Sequence, residues 1–290
     1  MTSNSSLTDK RMQAGNTEIT LNEYKVIQQF LSQSCGIILG ESKQYLVKNR
    51  LAGLLVKFDL ASFSELSAFL QASTPIAMRV KAAVVDAMTT NETFWFRDDM
   101  QFVELKEKIF PEIFKQKAGT IKVWSAACSS GQEPYTISMC AEDAGQQVGA
   151  NRNVQIIGTD ISESILMEAK TAVYSELALS RGLDEQIKNR FFQKTHVGYK
   201  LNPEITRKVR FQQFNLLKPF SVLGRFDVIF CRNVLIYFSD EVKRDILTRM
   251  ASSLEPGGYL FLSSTESMPS SIKEFESVRG GRARYFKKND

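Results

Sequence analysis

Val123-Trp124-Ser125-Ala126-Ala127-Cys128-Ser129-Ser130-Gly131-Gln132-Glu133-Pro134-Tyr135 decides the fold. A short β-type run over 121–127 meets a turn of small residues. A helical pattern over 133–146 follows, with Pro134 in the first turn, where its missing N–H costs nothing. The rhythm then repeats: 154–158 and 226–231 read as strands, and 162–173 and 240–254 as helices. Pro256-Gly257-Gly258 turns the chain into a strand over 259–263, and Arg284-Tyr285-Phe286 makes a last one. Such alternation signals a parallel sheet with crossover helices, an α/β fold of Rossmann-like type. Short, basic, alternating segments interrupt it between Arg181 and Gln213. They predict an inserted subdomain over about 181–213, with a small antiparallel sheet.

Upstream the period is helical throughout. Thr20 stands as an N-cap with Glu23 at the capping-box distance, and Leu21, Tyr24, Ile27, Phe30 and Leu31 recur at helical intervals. A second helix is expected over 42–58, with Val47, Leu51, Leu54 and Phe58 on one face, and two more over 64–70 and 77–88. The predicted organisation is a polar, disordered tail over 1–17 and an all-helical domain over 18–88. A linker over 89–100 then leads to the α/β domain over 101–290.

Composition closes off whole classes of function. The 290 residues are 43% hydrophobic and 24% charged, with four cysteines, which excludes a collagen-like repeat, a disulfide-stapled miniprotein and a disordered chain. Apolar runs such as 228–230 and 234–238 fall far short of the roughly 20 residues of a membrane helix. Residues 1–16 lack the apolar core of a signal peptide. A cytoplasmic protein without membrane insertion is expected. Cys35, Cys128, Cys140 and Cys231 are widely spaced and read as small buried side chains, not as disulfides or metal ligands. His196 is the only histidine, so multi-histidine metal sites are excluded and a histidine-based triad would have to be built on that one residue; no metal is expected. Between Arg181 and Arg210 eight Lys/Arg face three acids. This is solvated surface or a docking face for an acidic partner.

Three features converge on a nucleotide-type cofactor at the carboxyl ends of the strands. The small-residue turn lets the backbone approach a ligand, but it holds one glycine and opens on Glu133, which would repel a pyrophosphate and suit a positively charged group. Asp160, ending the strand in Ile157-Gly158-Thr159-Asp160, is placed to accept the two hydroxyls of a ribose; its other reading is an N-cap of the next helix. The buried strand 226–231 ends in the polar pair Arg232-Asn233, where a ligand crevice would lie. An adenosine whose ribose meets Asp160 and whose cationic end meets acids fits S-adenosyl-L-methionine better than NAD or ATP.

Thr90-Asn91-Glu92-Thr93-Phe94-Trp95-Phe96-Arg97-Asp98, the stretch from Ala126 to Tyr135 and Cys231-Arg232-Asn233-Val234-Leu235-Ile236-Tyr237-Phe238, in this order and spacing, closely resemble the chemotaxis receptor methyltransferases of the CheR type. The likeness runs from about residue 18 to 288, with Trp95 where the family often has a smaller aromatic. It implies a class I S-adenosylmethionine-dependent domain behind a helical N-terminal domain. It also implies methylation of glutamate side chains on the cytoplasmic rods of chemoreceptors, with S-adenosyl-L-homocysteine as product. Carried over by motif, Asn91, Thr93 and Arg97 face the cofactor and the reacting centre, and Glu133 meets its methionine end. Asp160 meets the ribose, Asn215 and Leu216 border the adenine, and Arg232 and Asn233 contact the cofactor near Tyr237. In some members the small β-subdomain grips a receptor C-terminal peptide by strand addition, which points to 196–201.

A glutamate carboxylate has a pKa near 4.3 and is an anion at pH 7, so transfer needs alignment and no general base. Arg97 and Tyr237 are the residues expected to place it, Arg97 having as its plainer reading an ion pair with Asp98 or Glu92. Lys43, Arg50 and Lys57, seven apart, line one helical stripe that would grip an acidic receptor helix, or else snorkel at the edge of a buried face. A base amino-methyltransferase would show a proline-rich turn where this chain has Asn233-Val234-Leu235, so no nucleic-acid substrate is expected. A cofactor-binding module without catalysis is disfavoured by Arg97, Asp160 and Tyr237 together, and a dehydrogenase by the glycine-poor turn. The protein is expected to act as a monomer.

Overall fold

The computed structural model describes residues 18–149, 152–281 and 283–289; the expected disordered tail lies outside them. The chain divides into two compact units, Met1–Thr90 and Asn91–Asp290. The motif around Trp95 therefore belongs to the second unit.

Among the described residues the first unit holds four helices: α1 (Leu21–Cys35), α2 (Gln44–Lys57), α3 (Phe63–Gln71) and α4 (Pro75–Met88). Each buries one stripe. Tyr24, Ile27 and Leu31 of α1, Val47, Leu51 and Leu55 of α2, Phe63 and Leu66 of α3 and Val80 and Val84 of α4 are closed to solvent, with α1 packed chiefly on α3 and α2 on α4. On α2 the buried stripe is Val47, Leu51 and Leu55, while Leu54 and Phe58, expected on it, are half-buried. Starts are written in the sequence: Thr20 and Glu23 form the full capping box, and Ser62 and Thr74 accept the N–H three residues on.

The second unit opens with α5 (Asp99–Glu104), a π-helical turn (Leu105–Ile109) and α6 (Phe110–Gln116). The wide turn lets Phe110 N–H reach the Leu105 carbonyl, five residues back, so Pro111 sits in the first turn of α6, where it has no bond to lose. A large sheet follows: β1 (Ile121–Ala126), β2 (Val154–Asp160), β6 (Val209–Gln213), β7 (Phe226–Cys231), β8 (Leu254–Phe261), β9 (Phe275–Gly280) and β10 (Ala283–Lys288). The strand order is β6-β2-β1-β7-β8-β10-β9, parallel from β6 to β8, with β10 antiparallel to both its neighbours. Helices α7 (Gln132–Gln147), α8 (Glu163–Thr171) and α12 (Asp240–Ser253) make the crossovers. Val123, Val228 and Phe230 face one apolar core, and Trp124, Ile229 and Cys231 the other. From β1 the chain works outward through β2 to β6, then returns to β7 on β1's other side. That reversal opens a crevice at the carboxyl ends of β1 and β7.

A second sheet, ordered β3-β5-β4, is built from β3 (Val173–Tyr174), β4 (Phe192–Thr195) and β5 (Gly198–Leu201), with the short helices α9 (Glu176–Ser180), α10 (Glu185–Phe191) and α11 (Pro203–Thr206) around it. It lies earlier in the chain than the expected 181–213: it begins at Val173, and Val209–Gln213 is instead the edge strand of the large sheet. Gly198–Leu201 is its central strand, hydrogen-bonded on both sides. Strand addition at 196–201 is thereby ruled out, since no free backbone edge exists there; β3 and β4 carry the edges. The basic run is also less bare than its count suggests. Arg181, Lys188, Arg190 and Lys208 pair with Glu92, Glu176, Asp143 and Glu142, all outside the counted segment.

Candidate functional site

The turn after β1 is a backbone device. Ala127, Ser129 and Gly131 all have positive φ (56°, 51° and 94°), so the chain folds tightly over the strand tip before α7 starts. A Cβ at Gly131 would stand 3.1 Å from Ala169 Cβ and from the Tyr174 hydroxyl and 3.2 Å from Phe211, so only glycine fits. Ser129 N–H donates to Asp160 Oδ2 (2.9 Å) and Ser162 N–H to Oδ1 (3.0 Å). The helix N-cap itself is Ser162, whose hydroxyl accepts from Ile165 N–H (3.2 Å). Asp160 is thus a buried carboxylate fixed in orientation at the tip of β2, while its carbonyl takes Phe214 N–H (2.8 Å) at the end of β6. At the next residue, the Asn215 side chain accepts from Leu217 N–H (3.0 Å), and buried Leu216 follows it.

Glu133, in the first turn of α7, accepts from Ser125 Oγ (2.7 Å) and from Arg232 Nη1 (2.8 Å). Arg232, at the tip of β7, is 1% exposed at its side chain. It also donates to Asp98 Oδ2 (3.0 Å) and to the Arg97 carbonyl, and it stacks over Phe102. Ser264 N–H donates to the same Asp98 Oδ2 (3.2 Å), and Ser264 Oγ donates to Oδ1 (3.1 Å). Burial alone would raise the Asp98 pKa, but the bonds from Ser264 and Arg232 outweigh it and hold the carboxyl below its ordinary range. The Cys128 thiol is pushed well up, first by burial and then by the charges of Asp160 and Glu133. The crevice floor is electronegative: three carboxylates (Asp98, Glu133, Asp160) stand against one buried guanidinium.

Of the expected residues of the second unit, hydrogen bonds tie Asn91 to Asp160 through Ser129, and Glu133 and the Arg97 backbone to Arg232. Ser129 Oγ donates to the Asn91 carbonyl (2.8 Å), so the linker motif, the β1 turn, Asp160 and the end of β6 form one hydrogen-bonded chain. Glu133, Arg232 and Asp98 form another. Trp95 is fully buried edge-on against Tyr174 and Phe192. Half-buried Thr93 lies between Asn91 and Trp95. Tyr237 closes a short 3-10 turn (Leu235–Tyr237) after Asn233. Arg97 pairs with neither candidate carboxylate: its Nη1 donates to the Glu92 carbonyl (3.0 Å) and its guanidinium lies over Phe94 (5.3 Å). Asp98 pairs instead with Arg232, and Glu92 with Arg181.

The docking stripe is only partly available. Arg50 donates to the Met88 and Thr89 carbonyls (2.8 and 2.9 Å) at the end of α4, while Lys43 and Lys57 are exposed at the two ends of α2. Sequence reasoning passed over Ser125, Ser129 and Glu266. Glu266 lies in the loop beyond β8, unlike Asp160, which ends its strand.

The pocket suits S-adenosylmethionine on two observations. Its strand tips carry more carboxylate than guanidinium, as a sulfonium requires, and Arg232 Nε is buried without a partner, a donor that the methionine carboxylate would satisfy. Among the described residues no helix is long and apolar enough to cross a membrane.

Comparison with known proteins agrees with both units. The all-alpha domain of CheR methyltransferases matches residues 22–89, and their SAM binding domain matches 91–284. A chemotaxis protein methyltransferase of Vibrio parahaemolyticus is 47% identical over 267 residues, covering 91% of this chain and 96% of that protein. Chemotaxis protein methyltransferase 1 of Pseudomonas aeruginosa is 43% identical over 261 residues (89% and 94%), and the Salmonella typhimurium protein 34% over 262 (89% and 87%).

Proposed function

The chain belongs to the CheR methyltransferase family, and from that premise we propose that it methylates glutamate side chains on the cytoplasmic helices of chemoreceptors, forming glutamyl methyl esters in chemotaxis. The observation that carries the reading is the pair of oriented carboxylates, Asp160 and Glu133, at the tips of β2 and the start of α7. Bound S-adenosyl-L-methionine supplies a methyl group activated by a sulfonium. Asp160 would take the ribose, Asn215 and Leu216 the adenine edge, and Asn91, Thr93, Glu133, Arg232 and Asn233 the remainder.

Glu133 is bonded to Arg232 in this arrangement, so its part is to hold that guanidinium in place and to lend the site negative potential. The acceptor arrives already ionised, and no residue has to remove a proton. Arg97, resting on Phe94 and held by a carbonyl, keeps its charge uncommitted to any carboxylate. It can steer the acceptor without a bidentate clamp that would blunt the nucleophile. Tyr237 is the hydrogen-bonding neighbour. On the first unit Lys43 and Lys57 are left as the cations for an acidic receptor helix, and a receptor tail peptide could add only at the edge of β3 or β4. Such a protein works in the cytoplasm, where its receptor helices lie.

The test is incubation with methyl-labelled S-adenosylmethionine and a receptor cytoplasmic fragment. Label released as methanol by mild base, lost in Arg97→Ala, supports the ester. Label stable to base, or label going to nucleic acid, would refute it.

A further inference from the structure

Beyond β8 the chain runs Leu262-Ser263-Ser264-Thr265-Glu266, and Glu266 is a charged residue only 5% exposed. Its Oε2 accepts Asn233 N–H (2.9 Å) and Ser263 N–H (3.1 Å), and its Oε1 accepts Val234 N–H (3.1 Å) and Leu235 N–H (2.9 Å). Four backbone donors on one buried carboxylate fix the loop after β7 to the loop after β8. Asn233 is held there at φ 58°, a conformation that costs a non-glycine residue energy unless its surroundings impose it. The same β8 loop sends Ser264 to Asp98. Asp98 and Arg232-Asn233 are thus both tied to it, from opposite sides.

We propose that Glu266 is a positioning residue for the methyl donor, acting through Asn233 and Arg232 without touching the donor itself. This rests on the reading that Asn233 borders the cofactor. The 3-10 turn at Leu235 needs a cap, and a side chain at its own start could supply one. A carboxylate reaching from the loop after the next strand caps it and also fixes Asn233, one residue from the buried guanidinium. Glutamine at 266 has the same shape, but its NH2 would face two of the four N–H groups. Those two would be unsatisfied and the loop would shift.

Calorimetric titration of S-adenosylhomocysteine into wild type, Glu266→Gln, Glu266→Asp and Asn233→Ala tests this, with thermal melts alongside. The expected result is a Kd raised about tenfold or more in Glu266→Gln, on the scale of small displacements in a binding site, with KM for the receptor fragment unchanged. Glu266→Asp, whose carboxylate is withdrawn by one methylene, should show the same direction and serves if the glutamine variant does not fold. A purely structural role would lower the melting temperature and leave the affinity of folded protein untouched. That outcome, beside a weakened Asn233→Ala, overturns the proposal. Wild-type affinity in Asn233→Ala would overturn the cofactor reading beneath it, and the proposal with it.

Discussion

Replacing Arg232 by Met keeps most of the side-chain volume and removes the charge that two carboxylates share. In the wild type the guanidinium is 1% exposed and meets Glu133 at 2.8 Å and Asp98 at 3.0 Å, the two carboxylates being 13% and 27% exposed. Removing one partner of a buried pair leaves an uncompensated charge and costs about 3–5 kcal/mol. In a domain of this size each kcal/mol is about 2–4 °C, so Arg232→Met should melt roughly 6–20 °C lower at pH 8. The sign of the pH dependence is fixed by the same picture. In the wild type burial would raise the Asp98 pKa, but Ser264 and Arg232 together hold the carboxyl below its ordinary range. That stabilisation is present above the unfolded value of about 3.9 and lost as pH falls through the folded one. Urea melts at pH 8 and about pH 3 should therefore show the deficit shrinking toward acid. Glu133→Gln added to Arg232→Met should recover about 1 kcal/mol or more at pH 8. A single variant within about 1 kcal/mol of wild type, or a deficit that grows as pH falls, would refute the reasoning.

Gly182, at φ 95°, would place a Cβ 1.9 Å from the Trp95 carbonyl oxygen. Gly182→Ala should cost about 3 kcal/mol or more in a urea melt. Gly53, exposed within α2 with nothing within 4 Å of its would-be Cβ, should behave oppositely, Gly53→Ala stabilising by about 0.5–1 kcal/mol. Arg50→Ala removes two bonds to the end of α4 and should destabilise the first unit by about 1–3 kcal/mol, so changes in receptor KM are better read from Lys43 and Lys57. Because the folded Asp98 pKa is lowered, its contribution is full above the unfolded value near 3.9 and fades as pH falls through the folded one. Acid titration of Asp98→Asn should thus show a deficit at pH 7 that begins to shrink once the pH falls below about 3.9.

What was legible in the sequence was local. The capping box at Thr20, the turn after β1 and the strand tip at Asp160 are each written in a few consecutive residues, and the structure has them where the pattern puts them. Helix 99–116 was not read: Pro111 breaks the pattern unless a π turn resets the register. Strands of two to four residues, such as Val173–Tyr174, are too short for a period of two to show. Val209–Gln213 alternates like a hairpin strand although it pairs in parallel with β2. The polar network was least legible. Arg232 reaches Glu133 and Asp98 across 99 and 134 residues of sequence, and no local pattern records such a partner. For the same reason eight cations counted against three acids in one segment overstated its free charge.

Titration of S-adenosylmethionine, and of its demethylated product, into wild type and Asp160→Asn by calorimetry bears most directly on the pocket at the strand tips. Saturable one-to-one heat in the folded wild type, with affinity about tenfold weaker or more once the carboxylate is an amide, is the expected outcome. Folded wild type that takes up neither molecule would contradict it, as would an Asp160→Asn protein that binds both as tightly as wild type.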